Sequence, residues 1–406
     1  MRRLTIAFAA ATCAGTVAHA QSLPGPNPSQ NPVGESHAII SGDVHITYDT
    51  DVARSDAATA ALRGLVQQDE IYEPDANLDL VKALGSQSLF LNGLVGYQFY
   101  GHDTILNNQH VDLTGGADLR VAHCEAALAD EYAARQNDLA EITTTIVKNR
   151  QTVETVSFDG DCARAVGFTP YINVSGSWSS NSNPEMITTD YRNLVVGGGL
   201  AYQRPTFGRL SIFGQYVRTT FPNRLVPVGA VAQVDGYQLY SGGFKFERRL
   251  GRIEGTFQLA YTDLQPDISG EAKFNGLTYL GDLAWHATSR LTGKAHIERD
   301  TQPSVELGSA FTRQNLYSLE LDYRFTSRLN VAAGASEDDA RFEGAAIIPG
   351  IDLTSSNTTD YYGNVQLQFA RRFSLTLDAR EENRRANLVA LSYASTRISA
   401  TLSVHI

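Results

Sequence analysis

Along most of this chain a strand of alternating apolar and polar residues is followed by a tight turn and a second alternating strand. The turn usually carries Arg and a large apolar residue. It is clearest at Phe207-Gly208-Arg209-Leu210, Leu250-Gly251-Arg252-Ile253, Thr288-Ser289-Arg290-Leu291, Thr326-Ser327-Arg328-Leu329 and Ala370-Arg371-Arg372-Phe373. The arginines at 209, 252, 290, 328 and 372 are 43, 38, 38 and 44 residues apart. Weaker turns at Gly85-Ser86-Gln87, near Cys124, and at Cys162-Ala163-Arg164 carry the spacing backwards. Period-two alternation between tight turns is the signature of antiparallel strands with one apolar and one polar face.

Eight turns give 16 strands. Ile39 to Tyr48 before the first loop and Ala394 to Ile406 after the last bring the count to 18, with 16 as the next choice. Leu89, Leu91, Gly93, Val95, Tyr97 and Phe99 share a face, as do Tyr317, Leu319, Leu321, Tyr323 and Phe325. About 9 to 11 residues per strand, tilted near 45°, cross a bilayer, and these segments fit. Longer polar stretches, Arg224 to Asp235, Asp263 to Lys273, Asp300 to Leu307 and Glu337 to Asn357, read as loops at the opposite end. Short turns at one end and long loops at the other are the asymmetry of an up-and-down outer-membrane barrel, whose short turns face the periplasm. The last residues, Ile398, Ala400, Leu402, Val404 and Ile406 alternating with polar neighbours, read as a closing strand. A soluble sandwich or propeller would also alternate, but it does not account for the export signal or for a strand at the terminus.

That signal is Arg2-Arg3, an apolar run from Leu4 to about Val17, and Ala18-His19-Ala20, with cleavage expected before Gln21. The run is too short for a membrane anchor, and Cys13 does not sit in a lipoprotein context. Residues 21–37, rich in proline, read as a periplasmic lead-in, and 38–406 as a single transmembrane β-barrel. Ala53 to Gln68 reads as a short helix in the first external loop, and Glu125 to Ile142 as strand followed by loop. The cell outer membrane of a Gram-negative bacterium is the expected location.

Composition adds two constraints. The 34 glycines and 18 tyrosines lean toward β structure with aromatic girdles, and a net charge of -11 argues against nucleic acid. Outer-membrane lipid, lipopolysaccharide and the barrel assembly machinery are the expected partners. In the strand model Cys124 begins one strand and Cys162 ends its neighbour, symmetric about one loop. A disulfide at the periplasmic rim is expected, ahead of two separate thiols or of a metal held with His123.

With Ser41-Gly42-Asp43-Val44-His45-Ile46-Thr47-Tyr48-Asp49-Thr50-Asp51, the Gly-Arg-Leu turns and the long polar loops, the chain resembles outer-membrane β-barrel proteins of exopolysaccharide operons, the EpsL-like members of the β-barrel porin type 2 group. The segments from Gly214 to Arg224 and from Tyr240 to Phe244 resemble the versions found in sphingomonads and their relatives. The resemblance implies a channel in the outer membrane with a role in secretion or surface handling of polysaccharide, working with polysaccharide export components. Barrels of this kind commonly end in Phe, and this chain ends in Ile406.

No nucleophile motif, cofactor motif or metal-ligand spacing emerges, so no enzyme is expected. His102 with Asp103, or His286 with Asp282, are acid-base pairs by proximity alone. Phase opposite the lipid faces assigns Asp118, Arg120, Glu254, Asp282, Glu298, Glu320, Asp322, Arg324, Asp378 and Arg380 to the lumen, with Tyr191 and Asn193 beside them. Facing charges across a pore favour polar solutes, whereas the same charges paired off would fill the lumen and stiffen it. The acidic loops Asp49-Thr50-Asp51 and Glu337-Asp338-Asp339 read as solvated surface or as a cation and lipopolysaccharide contact. The expected function is passage of polar saccharide or exopolysaccharide export. A closed docking barrel of a secretion complex is the alternative, and a lipid- or glycan-modifying barrel enzyme a third.

Overall fold

The computed structural model describes residues 36–137, 139, 147–162, 166–228, 231–304, 309, 311–343 and 353–405. The export signal, all but the end of the proline-rich lead-in, and Ile406 lie outside them. Eighteen antiparallel strands form one sheet. The first six are β1 His37–Asp49, β2 Asp69–Leu84, β3 Gln87–Tyr100, β4 Asn108–Val121, β5 Cys124–Gln136 and β6 Arg150–Asp161. Then come β7 Gly167–Asn181, β8 Arg192–Arg204, β9 Gly208–Val228, β10 Val231–Leu250, β11 Ile253–Pro266 and β12 Phe274–His286. The last six are β13 Leu291–Pro303, β14 Phe311–Arg324, β15 Leu329–Glu343, β16 Ser355–Gln368, β17 Phe373–Ala386 and β18 Tyr393–His405. Each strand pairs with its neighbours in sequence, and β1 pairs with β18 as well as β2, so the sheet closes on itself. Closure removes the unpaired edge that lipid would not tolerate.

The turn repeat has a local cause. The hydroxyls of Thr288 and Thr326 accept hydrogen bonds from the amides of Arg290 and Leu291 and of Arg328 and Leu329, at 2.9 to 3.1 Å, a side-chain-capped turn. The carbonyls of Arg252, Arg290, Arg328 and Arg372 each accept an amide from the end of a neighbouring strand, which lengthens the ladder by one bond. Gly85 and Gly251 take φ of 70° and 78°, as tight two-residue turns require. Cys124 and Cys162 are joined in a disulfide at this short-turn end, between the β4–β5 and β6–β7 connections.

Register carries the alternation round the ring. Leu89, Leu113, Leu128, Phe158, Ile172, Leu200, Ile212, Phe257, Leu283, Leu319, Val365, Leu377 and Ile398 all point outward and stay exposed, Leu319 at 57%. Such a continuous apolar surface requires lipid or another apolar medium. No helix among the described residues is long and apolar enough to cross a membrane. The one α-helix among the described residues, α1 Ala57–Leu62, lies in the first long connection with Asp56 capping it through Thr59 N at 2.8 Å.

Three of the expected loops are strand in part. Arg224 to Asp235 belongs mostly to an extended β9–β10 hairpin with a register shift at Val234/Asp235. Glu337-Asp338-Asp339 lies within β15, paired to both β14 and β16. Asp300 to Pro303 likewise extends β13. Beyond the apolar belt the alternation is lost although the hydrogen-bond ladder continues: Glu337-Asp338-Asp339 is polar on both faces, and Leu225, Val226, Val228, Val231 and Val234 are apolar on both. Asp338, unlike Glu337 and Asp339, faces inward, so this triplet is not a simple loop surface.

Candidate functional site

The barrel interior is the candidate site, and its wall is polar because alternate residues of every strand must face away from lipid. Aspartates and glutamates outnumber arginines and lysines at these inward positions. By strand register, Asp118, Arg120, Glu254, Asp282, Glu298, Glu320, Asp322, Arg324, Asp378 and Arg380 all stand on that face.

Several are tied into pairs. Arg120 meets Glu125 across the hairpin. Asp118 accepts from Ser88 Oγ at 3.0 Å, and Asp322 from Asn330 Nδ2 at 3.0 Å. Lys294 Nζ lies 2.7 Å from Glu320 Oε1, while Tyr362 OH donates to Glu320 Oε2 at 2.9 Å. Arg380 grips Asp360 with two nitrogens, at 2.9 and 2.6 Å. His296 joins Asp282 at 2.7 Å and Glu298 at 3.2 Å, one carboxylate on each ring nitrogen.

The acid-base pairs drawn from sequence neighbours do not form. His102 turns to Asp69, 3.0 Å away, and Asp103 instead accepts from Val66 N. His286 lies 3.1 Å from Thr292 Oγ1 and 3.9 Å from Glu254, whereas Asp282 serves His296. In a strand, residues close in sequence point to opposite faces or along the barrel, so partners come from neighbouring strands. The bonded Cys124 and Cys162 leave no thiolate for a metal with His123.

The long connections pack against one another at the mouth. Ala53, Ala60, Leu65, Leu106, Leu139 and Met186, drawn from four connections, form one buried cluster. Arg54, at φ 50°, is held in that uncommon region by Asp49, whose carboxylate it meets at 2.6 Å, and by the Asp51 carbonyl. Ser395 Oγ on β18 completes the Asp49 shell at 2.6 Å. Arg63 reaches the carbonyls of Ala53 and Leu139 at 2.7 and 3.1 Å.

On the other side Arg224, 2% exposed, stacks over Phe221 with its guanidinium 3.9 Å from the ring centre. It donates to the Thr188 carbonyl (3.1 Å), the Ser309 carbonyl (3.0 Å) and Asp235 (3.2 Å), binding three connections together. Below it Tyr191, Phe221, Tyr237, Leu239, Leu264, Phe274 and Phe311 fill the interior along this wall. Tyr191, expected with the lumen residues, is part of this packed cluster and not of the strand wall. Asn193 is on the wall and accepts from Thr219 Oγ1 at 3.0 Å.

Two acids of the mouth are poised to titrate. Burial pushes the Asp51 carboxyl up to about 6, with Arg54 pulling the other way. Burial, then the charge of Asp235, pushes Glu271 up to about 7 against the opposing Arg224.

Asp49, expected as loop surface, is buried instead, and the sequence pointed to none of Arg54, Arg224, Asp360 and the Glu382–Arg397 pair that joins β17 to β18. Asp360, Glu382 and Arg397 carry a signal, polar residues every second position, that phase alone would have found. Arg224 carries none, because its partners at Thr188 and Ser309 lie in other connections, and the contact of Arg54 with nearby Asp49 and Asp51 follows no period.

The family model described as "Putative beta-barrel porin 2" matches residues 215–406. No curated protein sequence matches the chain. Among solved structures, Pseudomonas aeruginosa OccK2 (OpdF) in complex with glucuronate aligns with a TM-score of 0.50 at 10% identity, over 92% of this chain and 98% of that one. The BenF-like porin from Pseudomonas fluorescens Pf-5 aligns with a TM-score of 0.50 at 11% identity, over 91% of this chain and 99% of that one. In fold the chain is therefore similar to porins over nearly its whole length, and in sequence its second half is similar to a β-barrel porin family.

Proposed function

We propose that this protein is a substrate-selective channel of the Gram-negative outer membrane that passes small polar solutes, with a preference for cationic or uncharged hydroxyl-rich ones over anions. The observation that carries the reading is an acid-rich inner wall beneath a mouth narrowed by buried arginine ties. A wall of one predominant sign raises the local concentration of the opposite charge and repels its own. Glucuronate, bound by one protein of similar fold, is an anion that this wall would disfavour. An uncharged saccharide would meet no such barrier, and the carboxylates, Asn and Gln of the wall supply hydrogen-bond partners for its hydroxyls.

Export of an exopolysaccharide strand remains part of the same proposal only if the mouth clusters open, because Arg224 and Arg63 tie separate connections to one another there. The alternative of a closed docking barrel draws on those same clusters. Planar-bilayer recording separates the two. The channel reading expects discrete conductance with a reversal potential showing cation preference in a salt gradient. Silence at all voltages, both for the native protein and for variants with the mouth ties removed, would sink it in favour of the docking barrel.

A further inference from the structure

Strands β2 and β4 bring three potential ligands to one point of the inner wall, across the intervening β3. Asp75, Gly96 and His110 are register partners in a single row across β2, β3 and β4. Residues two strands apart stand about 9.5 Å from each other, too far for short side chains to meet over an intervening one. Gly96 removes that obstacle, since a Cβ there would overlap Asp75 Oδ1 and the His110 ring. Asp75 Oδ1 lies 3.1 Å from His110 Nε2, and Glu73 Oε1 lies 3.4 Å from the same nitrogen. The three ligand atoms fall within 4.8 Å of one another.

We propose that Glu73, Asp75 and His110 form a binding site for a divalent transition-metal ion of the Zn2+ type, open on its fourth side to the lumen. Two details favour an ion over a simple ion pair. Asp75 Oδ1 is buried yet makes no aligned hydrogen bond, despite its closeness to the imidazole. Ligands about 2.0 to 2.1 Å from a tetrahedral ion stand about 3.3 Å apart, close to the two separations found here. The outer atoms of the ligands are also held. Gln98 Nε2 donates to Glu73 Oε2 at 2.8 Å, which leaves Oε1 free. His45 Nε2 lies 3.3 Å from Asp75 Oδ2, and its Nδ1 is 2.8 Å from Thr401 Oγ1. Partners of this kind orient metal ligands and raise their affinity. One imidazole with two carboxylates and an open position suits Zn2+ and similar ions better than Ca2+, which takes six or more oxygens.

The other histidine of the wall with two carboxylates differs instructively. His296 gives Asp282 one nitrogen and Glu298 the other, so a single ion cannot join all three. It serves as the internal control.

This inference stands whether or not the barrel conducts, and its test uses binding alone. Untagged protein in detergent, stripped with a chelator, is titrated with Zn2+ by calorimetry and the bound ion counted by elemental analysis. One Zn2+ per chain is expected, with affinity at least tenfold weaker in H110A and in the isosteric variants D75N and E73Q. Affinity should fall ten- to a hundredfold in H45A and hold within twofold in H296A. Circular dichroism and heat-modified migration establish that the isosteric variants are folded. Absence of saturable binding, or a site that survives D75N and E73Q in folded protein, overturns the assignment.

Discussion

Replacing Arg224 by Met should loosen one half of the mouth without disturbing the barrel beneath it. The thioether roughly keeps the packing over Phe221 but removes three charge-assisted hydrogen bonds and leaves the Asp235 carboxylate, 3% exposed in its side chain, without its cation. Breaking one partner from a buried pair costs about 3 to 5 kcal/mol. That cost falls on the interaction of three connections and not on the strand ladder, so it should appear as local opening. At about 1.4 kcal/mol per decade, the opening constant rises by two to three and a half orders of magnitude. Hydrogen exchange reads this directly, at the amides of Thr189, Asp190 and Gly236, whose hydrogen bonds belong to the tied segments. Amides in the middle of β8 and β9 should keep their protection. The double variant Arg224→Met/Asp235→Asn should recover part of the loss, because it no longer buries a lone charge. If exchange at the three amides rises by less than about threefold, or if β8 loses protection equally, the idea that Arg224 ties the mouth is wrong.

The other predictions concern the mouth's acidity and the disulfide. Asp51 and Glu271 have folded values of about 6 and about 7, above their ordinary carboxylate values. Stability that depends on their protonated forms is therefore fully present below about pH 4 and lost as pH rises through 6 to 7. The mouth connections should resist limited proteolysis better at pH 5 than at pH 8, and Glu271→Gln should hold the resistant behaviour of the β11–β12 connection at both; a trend in the opposite direction would refute the assignment. Cys124→Ser should lower stability in detergent by up to about 4 kcal/mol, from the chain-entropy cost of freeing a 38-residue separation, read as a lower urea midpoint. A reductant should do the same to the native protein and nothing further to the variant.

The strand faces, the tight turns and the disulfide were legible because each depends on residues near one another in sequence or on a strict period. Thr288 and Thr326 cap their own turns, and Leu319 faces lipid because Ser318 and Glu320 do not. Lumen charges such as Asp282 and Glu320 could be phased, but their partners could not, since those come from the neighbouring strand at a register the sequence does not print. Loop boundaries failed at Arg224 and Asp338, where pairing runs on past the segments that alternate.

By itself the sequence determined the all-β class, the eight short turns, the eighteen strands and the sidedness of each, all consequences of local geometry repeated at period two. Only the closed ring decided that Arg224 would meet Ser309, 85 positions away, that Asp49 would find Ser395 from the other end of the chain, and that Gly96 would let Asp75 reach His110. Those contacts depend on curvature and on which connections lean over the same opening, and circumference is a property of all eighteen strands together.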